Sequence, residues 1–199
     1  PSGGFDESAT RELFACIRRS ARVRVRAPSS ARRRRTTAPV FPLDTAPGRC
    51  MVGIVGSTGS PQILRAILST LPATFPFPIA IVQHTAPGFT KSLASWLDGG
   101  TDLSVRLAED RETVAAGQVV VAPDDQHLEV GASGQIKVHR GAPVDGHRPS
   151  GTVLLRSIAG SFGARSIGVV LSGMGRDGAD GIASIGSASG RALIEDPDS

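Results

Sequence analysis

Three polar residues each follow a short apolar run: Ser57 in VGSTGS (55–60), His84 in IAIVQH (79–84), and Asp177 in SGMGRDG (172–178), which comes after IGVVL (167–171). A hydroxyl, an imidazole and a carboxylate are the parts of nucleophilic catalysis. Serine attacks poorly until an imidazole takes its proton, and the imidazole needs a carboxylate to fix its tautomer and stabilise its charged form. Each residue also has a plainer reading. The 56–60 turn can simply connect a strand to a helix, or hold an anion at the helix N-terminus. It lacks the third glycine of GxGxxG and the lysine of a P-loop. His84 can be a polar strand cap, and Asp177 sits where Asp is common for turn reasons alone. Asp124, Asp125 and Asp180 read as turn or cap residues. His127 and His139 fall on an alternating hairpin, which places them at the surface. His147, in GHRPS (146–150), precedes a helix and can line the same edge as the three.

The elements that must position these residues can be read from periodicity. Val52-Gly53-Ile54-Val55 is a buried strand. Pro61 suits a first helical turn with Ser60 as its N-cap, and Ile63, Leu64, Ile67, Leu68 and Leu71 form an amphipathic stripe. Further strands are expected at 79–82, 105–107, 119–122, 167–171 and 192–194. Helices are expected after Thr90, taken as a cap, and over 151–162 and 180–187. Alternating residues at 127–130 and 135–139, joined by Ser133-Gly134, read as a hairpin. Strands alternating with helices predict an α/β, three-layer, mostly parallel doubly wound sheet with one inserted antiparallel hairpin. In such a sheet the carboxyl ends of the strands share one edge, so Ser57, His84 and Asp177 can converge there.

The 199 residues suffice for one domain with a sizeable core. With seven Phe, one Trp and no Tyr, that core is built from Val, Ile, Leu and Ala. No apolar run approaches the roughly 18 residues of a membrane helix. Cys16 and Cys50 form no metal or disulfide pattern and lie outside the expected core, which fits a cytoplasmic location. The net charge of +4 is unevenly placed. Residues 1–50 hold 11 Arg against 4 acids, whereas residues 51–199 hold 11 Lys plus Arg against 14 acids. The basic pI therefore belongs to the front segment, and the acidic remainder is not expected to seek nucleic acid. Residues 1–49 read as a basic Pro/Ser/Arg-rich linker and 50–199 as the folded domain. The linker is expected to be cut by trypsin near Arg32 to Arg35.

Six blocks occur in register: VGSTGS (55–60), QHTAPGFTKSLA (83–94), AEDRE (108–112), VAPDDQHLEV (121–130), HRPS (147–150) and LSGMGRDGADG (171–181). Over about residues 51–198 this set resembles the catalytic domain of the bacterial chemotaxis methylesterase CheB, a protein-glutamate methylesterase and glutamine deamidase. The resemblance implies Ser57 as nucleophile, His84 as base and Asp177 as the third triad member. Met174 is implied to lend a backbone amide to the oxyanion hole, with Thr58 and His147 close to the site. It implies no metal or organic cofactor. The implied substrates are glutamate γ-methyl esters on the cytoplasmic helices of methyl-accepting chemotaxis receptors. The family usually also carries an N-terminal receiver domain that would connect to a chemotaxis histidine kinase. Here residues 5–26 resemble only a receiver's last helix and the start of a linker.

Two departures stand out. The family usually shows Ser-Thr-Gly-Gly, where this chain has Ser60 in the last place. The family domain also continues beyond the stretch matching LIEDPDS, so the domain is expected to be truncated at Ser199 and to gain stability if extended. The competing readings are an inactive remnant or binding module of the same fold, and an esterase for a different small ester.

Overall fold

Val52 and Ile54 turn to one face of strand β2 (Met51–Gly56), Met51 and Val55 to the other, and all four are buried. A strand apolar on both faces belongs in the middle of a parallel sheet with a layer on each side. The computed structural model, which describes residues 15, 23–25, 50–171 and 176–195, has that arrangement. β2 pairs in parallel with β3 (Ile79–Gln83) on one side and β8 (Ser166–Val170) on the other. Beyond β3 lie β5 (Gln118–Val121) and then β4 (Ser104–Leu107); beyond β8 lies β9 (Arg191–Glu195). All these neighbours are parallel. β1 (Val23–Val25) adds an antiparallel strand outside β9, with Val23 opposite Glu195.

Helices α1 (Ser60–Leu68) and α2 (Thr90–Asp98) cover one face. Leu64, Ile67, Leu68, Ala94 and Leu97 pack there on Val52, Ile54, Ile79, Ile81 and Val169. Helices α3 (Gly151–Phe162) and α4 (Ala179–Ser187) cover the other, where Leu154, Leu155, Ile158 and Ile185 meet Met51, Val55, Ala80 and Val82. The chain winds outward from β2 through β3, then returns to place β8 on β2's other side. Strand order reverses between β2 and β8, which opens a crevice at their carboxyl ends.

The hairpin β6 (His127–Val130) and β7 (Ile136–His139) forms a separate two-stranded sheet. It docks on α3 through buried Leu128, Val130 and Ile136. Two side chains of α3 continue the ladder: Ser157 Oγ accepts from the Val130 amide and Ser161 Oγ donates to its carbonyl, both at 2.9 Å.

The α/β architecture with its inserted hairpin is the one read from the sequence, with several local differences. Gly59 in the left-handed region, not Ser60, is the N-cap of α1. Phe89, not Thr90, precedes α2, and the Thr90 hydroxyl donates instead to Asp124. In both cases a partner on another element outcompetes the local cap. The expected linker falls almost wholly outside the described residues, as does the trypsin-sensitive run. Of that segment, Val23–Val25 pairs with β9 on its outer edge.

Cys50, expected outside the core, is buried within it. Burial pushes its thiol up to about 11, against a smaller opposing pull from Arg191 and Arg165. Only the thiolate attacks disulfide reagents. Native protein at pH 8 is therefore expected to leave Cys50 unlabelled by an aromatic disulfide reagent, with prompt reaction in denaturant. Prompt labelling under native conditions would contradict the burial.

Candidate active site

Ser57 leaves the end of β2 and His84 leaves the end of β3, on adjacent strands whose carboxyl ends are in register: Gly56 pairs with Gln83, and the His84 amide donates to the Gly56 carbonyl at 2.9 Å. Asp177 comes from the loop between β8 and α4, on the other side of β2. The topology thus brings all three to the crevice, and the Asp177 side chain, 3% exposed, lies with Oδ2 2.9 Å from His84 Nε2. The contact is out of line for a well-directed hydrogen bond, and among the described residues no better-aligned partner reaches that buried nitrogen. It is an ion-pair contact, charged when His84 carries a second proton.

What holds Asp177 is the N-terminus of α3. Oδ1 accepts from Ser150 Oγ at 2.7 Å and the Thr152 amide at 3.0 Å; Oδ2 accepts from the Gly151 amide at 2.6 Å. These amides are among the four that a helix start leaves without intrahelical partners, and the helix dipole favours negative charge there. Burial alone would raise the carboxyl pKa. The His84 contact and the hydrogen bonds from Ser150, Gly151 and Thr152 outweigh it and hold Asp177 well below the usual carboxylate range. Thr152 Oγ1 also accepts from the Gly178 amide at 2.9 Å, fixing the next backbone unit.

Ser150 has a second anchor. It is the N-cap of α3, with its hydroxyl oxygen facing the Val153 amide, and its own amide donates to His127 Nδ1 at 3.2 Å. His127 Nε2 lies 3.0 Å from the Ala142 carbonyl, which can only accept, so the proton sits on Nε2 and the imidazole is neutral. His127, expected at the surface, is 2% exposed because its ring is needed under this helix start. His139 is half-buried and reaches Glu129 Oε1 at 2.5 Å. Burial raises the Glu129 carboxyl, but bonds to Lys137 and His139 outweigh it and leave it below its ordinary value.

His147 does line the edge. Its ring stacks on His84 with centroids 4.2 Å apart and planes 8° from parallel. The turn Val144-Asp145-Gly146-His147 presents it: Asp145 and Gly146 both have positive φ, and Val144 and His147 exchange both backbone hydrogen bonds. Asp-Gly is the sequence signal for such a turn. Asp180 lies apart, exposed and paired with Arg156 at 2.9 Å. Asp124 binds the Gly88 amide and the Thr90 hydroxyl, shaping the loop after His84, and Asp125 pairs with Arg148. Thr58 is exposed beside Ser57. Met174 lies outside the described residues. Among the described residues, no hydrogen bond joins the Ser57 hydroxyl to His84, and no group of three or more His, Cys, Asp and Glu is arranged to hold a metal. No helix among them is long and apolar enough to cross a membrane.

Gly151 makes this packing possible. A Cβ there would lie 2.3 Å from Val55 Cγ1 and 2.6 Å from Cγ2, and the β-branched Val55 has little freedom to yield. Gly151→Ala is expected to push the start of α3 off β2, costing about 1–3 kcal/mol as an overpacked site and loosening the seat of Asp177. Denaturant titration reads the first effect; an unchanged midpoint would show that α3 can shift without cost.

The family model described as CheB methylesterase matches residues 52–199. The chain is 46% identical over 155 residues to protein-glutamate methylesterase/protein-glutamine glutaminase 4 of Myxococcus xanthus, covering 78% of this chain and 43% of that protein. It is 42% identical over 196 residues to the enzyme numbered 3 of Anaeromyxobacter dehalogenans, covering 98% of this chain and 57% of that one. The chain thus spans about half the length of the curated relatives it matches. Among solved structures, the Thermotoga maritima CheB methylesterase catalytic domain superposes with a TM-score of 0.70 at 38% identity, over 73% of this chain and 78% of that one.

Proposed function

The chain belongs to the CheB methylesterase family, and from that premise we propose that it hydrolyses glutamate γ-methyl esters, and deamidates specific glutamines, on the cytoplasmic helices of chemoreceptors. The observation that carries this reading is the Asp177–His84 contact at 2.9 Å, backed by the start of α3, at the edge where Ser57 emerges. With Nε2 turned to Asp177, Nδ1 is the nitrogen that takes the Ser57 proton. Ser57 Oγ then attacks the ester carbonyl, and the oxyanion is met by the Met174 amide and amides at the start of α1, beside Thr58. One such donor is typically worth about 10²–10³ in rate. The tetrahedral intermediate collapses to an acyl-enzyme, and His84 gives the proton to the departing methoxide. Water, deprotonated by His84, attacks the acyl carbon and restores Ser57 with release of glutamate. For a glutamine side chain the same steps release ammonia. His147, stacked on His84, holds the plane of the ring through these transfers.

The further parts of the reading are a cytoplasmic site of action, a domain boundary near Arg49, and control by a histidine kinase through a receiver domain in the longer protein. The test is methanol release from methylated receptor fragments, with small methyl esters in parallel. Turnover of the receptor substrate that vanishes in Ser57→Ala supports the assignment. Turnover confined to small esters would redirect it to a different substrate.

A further inference from the structure

Gln83 is 2% exposed, a long polar side chain in the core at the end of β3. Its amide is fully used. Nε2 donates to the Ser57 carbonyl at 2.7 Å and to the His84 carbonyl at 3.1 Å. Carbonyls only accept, so the nitrogen must face them, and Oε1 faces the Ser60 hydroxyl at 2.6 Å. Ser60, with no exposed surface, also places its hydroxyl 2.6 Å and its amide 3.2 Å from the Ser57 carbonyl. One amide group therefore ties together the backbones of two residues whose side chains must exchange a proton.

Gly56 leaves room for this arrangement. A Cβ there would lie 2.4 Å from Ser60 Oγ and 2.5 Å from Gln83 Oε1. The space that a side chain at position 56 would fill is occupied by the bond between the other two. Ser60 departs from the Ser-Thr-Gly-Gly pattern noted above, and its hydroxyl supplies the only hydrogen bond to Gln83 Oε1 among the described residues.

We propose that Gln83, braced by Ser60, is a positioning residue: it sets the separation of Ser57 and His84 by clamping their two carbonyls. It touches no substrate in this arrangement, so its effect belongs in the chemical step and not in binding. The inference rests on the proposed serine esterase reading. A misplacement of about 1 Å between reacting groups can cost about 10² in rate, which sets the scale.

The experiment compares wild type, Gln83→Met and Ser60→Ala by two readouts. One is labelling of Ser57 with a fluorophosphonate, scored for both rate and final stoichiometry. The other is kcat and KM for methylated receptor fragments. Gln83→Met keeps the length and removes the clamp. The expected result is labelling to the wild-type endpoint at a rate about 10- to 100-fold lower, with kcat reduced to match and KM unchanged. Ser60→Ala keeps both carbonyl bonds of Gln83 and removes its brace; about 3- to 10-fold is expected. Should Gln83→Met fail to fold, seen as a low endpoint, Ser60→Ala decides. Full endpoints with wild-type rates, or a raised KM at unchanged kcat, would overturn the inference alone. A wild-type chain left unlabelled at Ser57 would overturn the esterase reading beneath it, and this inference with it.

Discussion

Asp177→Asn is expected to slow methanol release by about 10⁴, the size the same exchange has in a serine-protease triad. It is also expected to destabilise the fold. The sequence alone leads one to expect an intact protein with a wrong imidazole tautomer. The structure adds that every group around the carboxylate is a donor: Ser150 Oγ, the Gly151 and Thr152 amides, and His84. An asparagine has one accepting end, so its NH₂ group must face an N–H or O–H whichever way it turns. A buried donor left without an acceptor costs about 1–3 kcal/mol. The pH dependence has a definite sign. The folded carboxyl is held below its ordinary value, so its contribution to stability is complete above about pH 4 and is lost as pH falls further. The variant should be less stable at pH 7 and less sensitive to acid. Asp180→Asn, at an exposed pair with Arg156, should match wild type in both respects. A folded Asp177→Asn enzyme at near wild-type rate would remove Asp177 from the mechanism.

Ser57→Ala and His84→Ala are each expected to abolish turnover, and together to lose no more than either alone. On the proposed mechanism, without the hydroxyl there is no acyl-enzyme, and without the imidazole there is no acceptor for its proton. Groups that act as one unit give non-additive losses. Combining either change with Asp177→Asn should likewise add little in rate, while the stability loss from Asp177→Asn persists. Ser57→Ala removes only a partly exposed oxygen that makes no hydrogen bond among the described residues, so its melting temperature should stay at wild type. Kinetics and calorimetry on the single and double variants separate the two effects. Losses that multiply across the double variants would mean that the residues act independently.

Much of this site was legible because its parts stand at the ends of apolar runs. The runs at β2, β3 and β8 give the strands, alternation with helices gives parallel order, and parallel order gives a shared edge. What the sequence did not reveal depends on contacts across that edge. Asp177 could not be told from Asp124 or Asp180 by spacing, because its distinction is the start of α3, brought to it from another element. His127 looked like a surface residue on an alternating hairpin, since only the docked hairpin shows the Ser150 amide donating to its Nδ1. Ser60 carried a cap signal, and the signal misled because Gln83 offers its hydroxyl a better-placed partner. Ser150 was not singled out as a cap, and no local signal could show a carboxylate arriving from the far side.

The order in which these parts are made follows from the pairing of β8 with β2, Met51 opposite Ser166. During synthesis Ser57 and His84, the nucleophile and base of the proposed mechanism, leave the ribosome early, at the ends of neighbouring strands. The orienting acid follows only after the hairpin, α3 and β8 have been made. A nascent chain that has not yet delivered Asp177 holds a serine and a histidine without the carboxylate proposed to orient the imidazole. On the proposed mechanism, competence arrives late in translation, when the central strand gains its second neighbour. Chains released before that point should be inert toward serine-directed probes, which makes probe reactivity a timer for completion of the sheet.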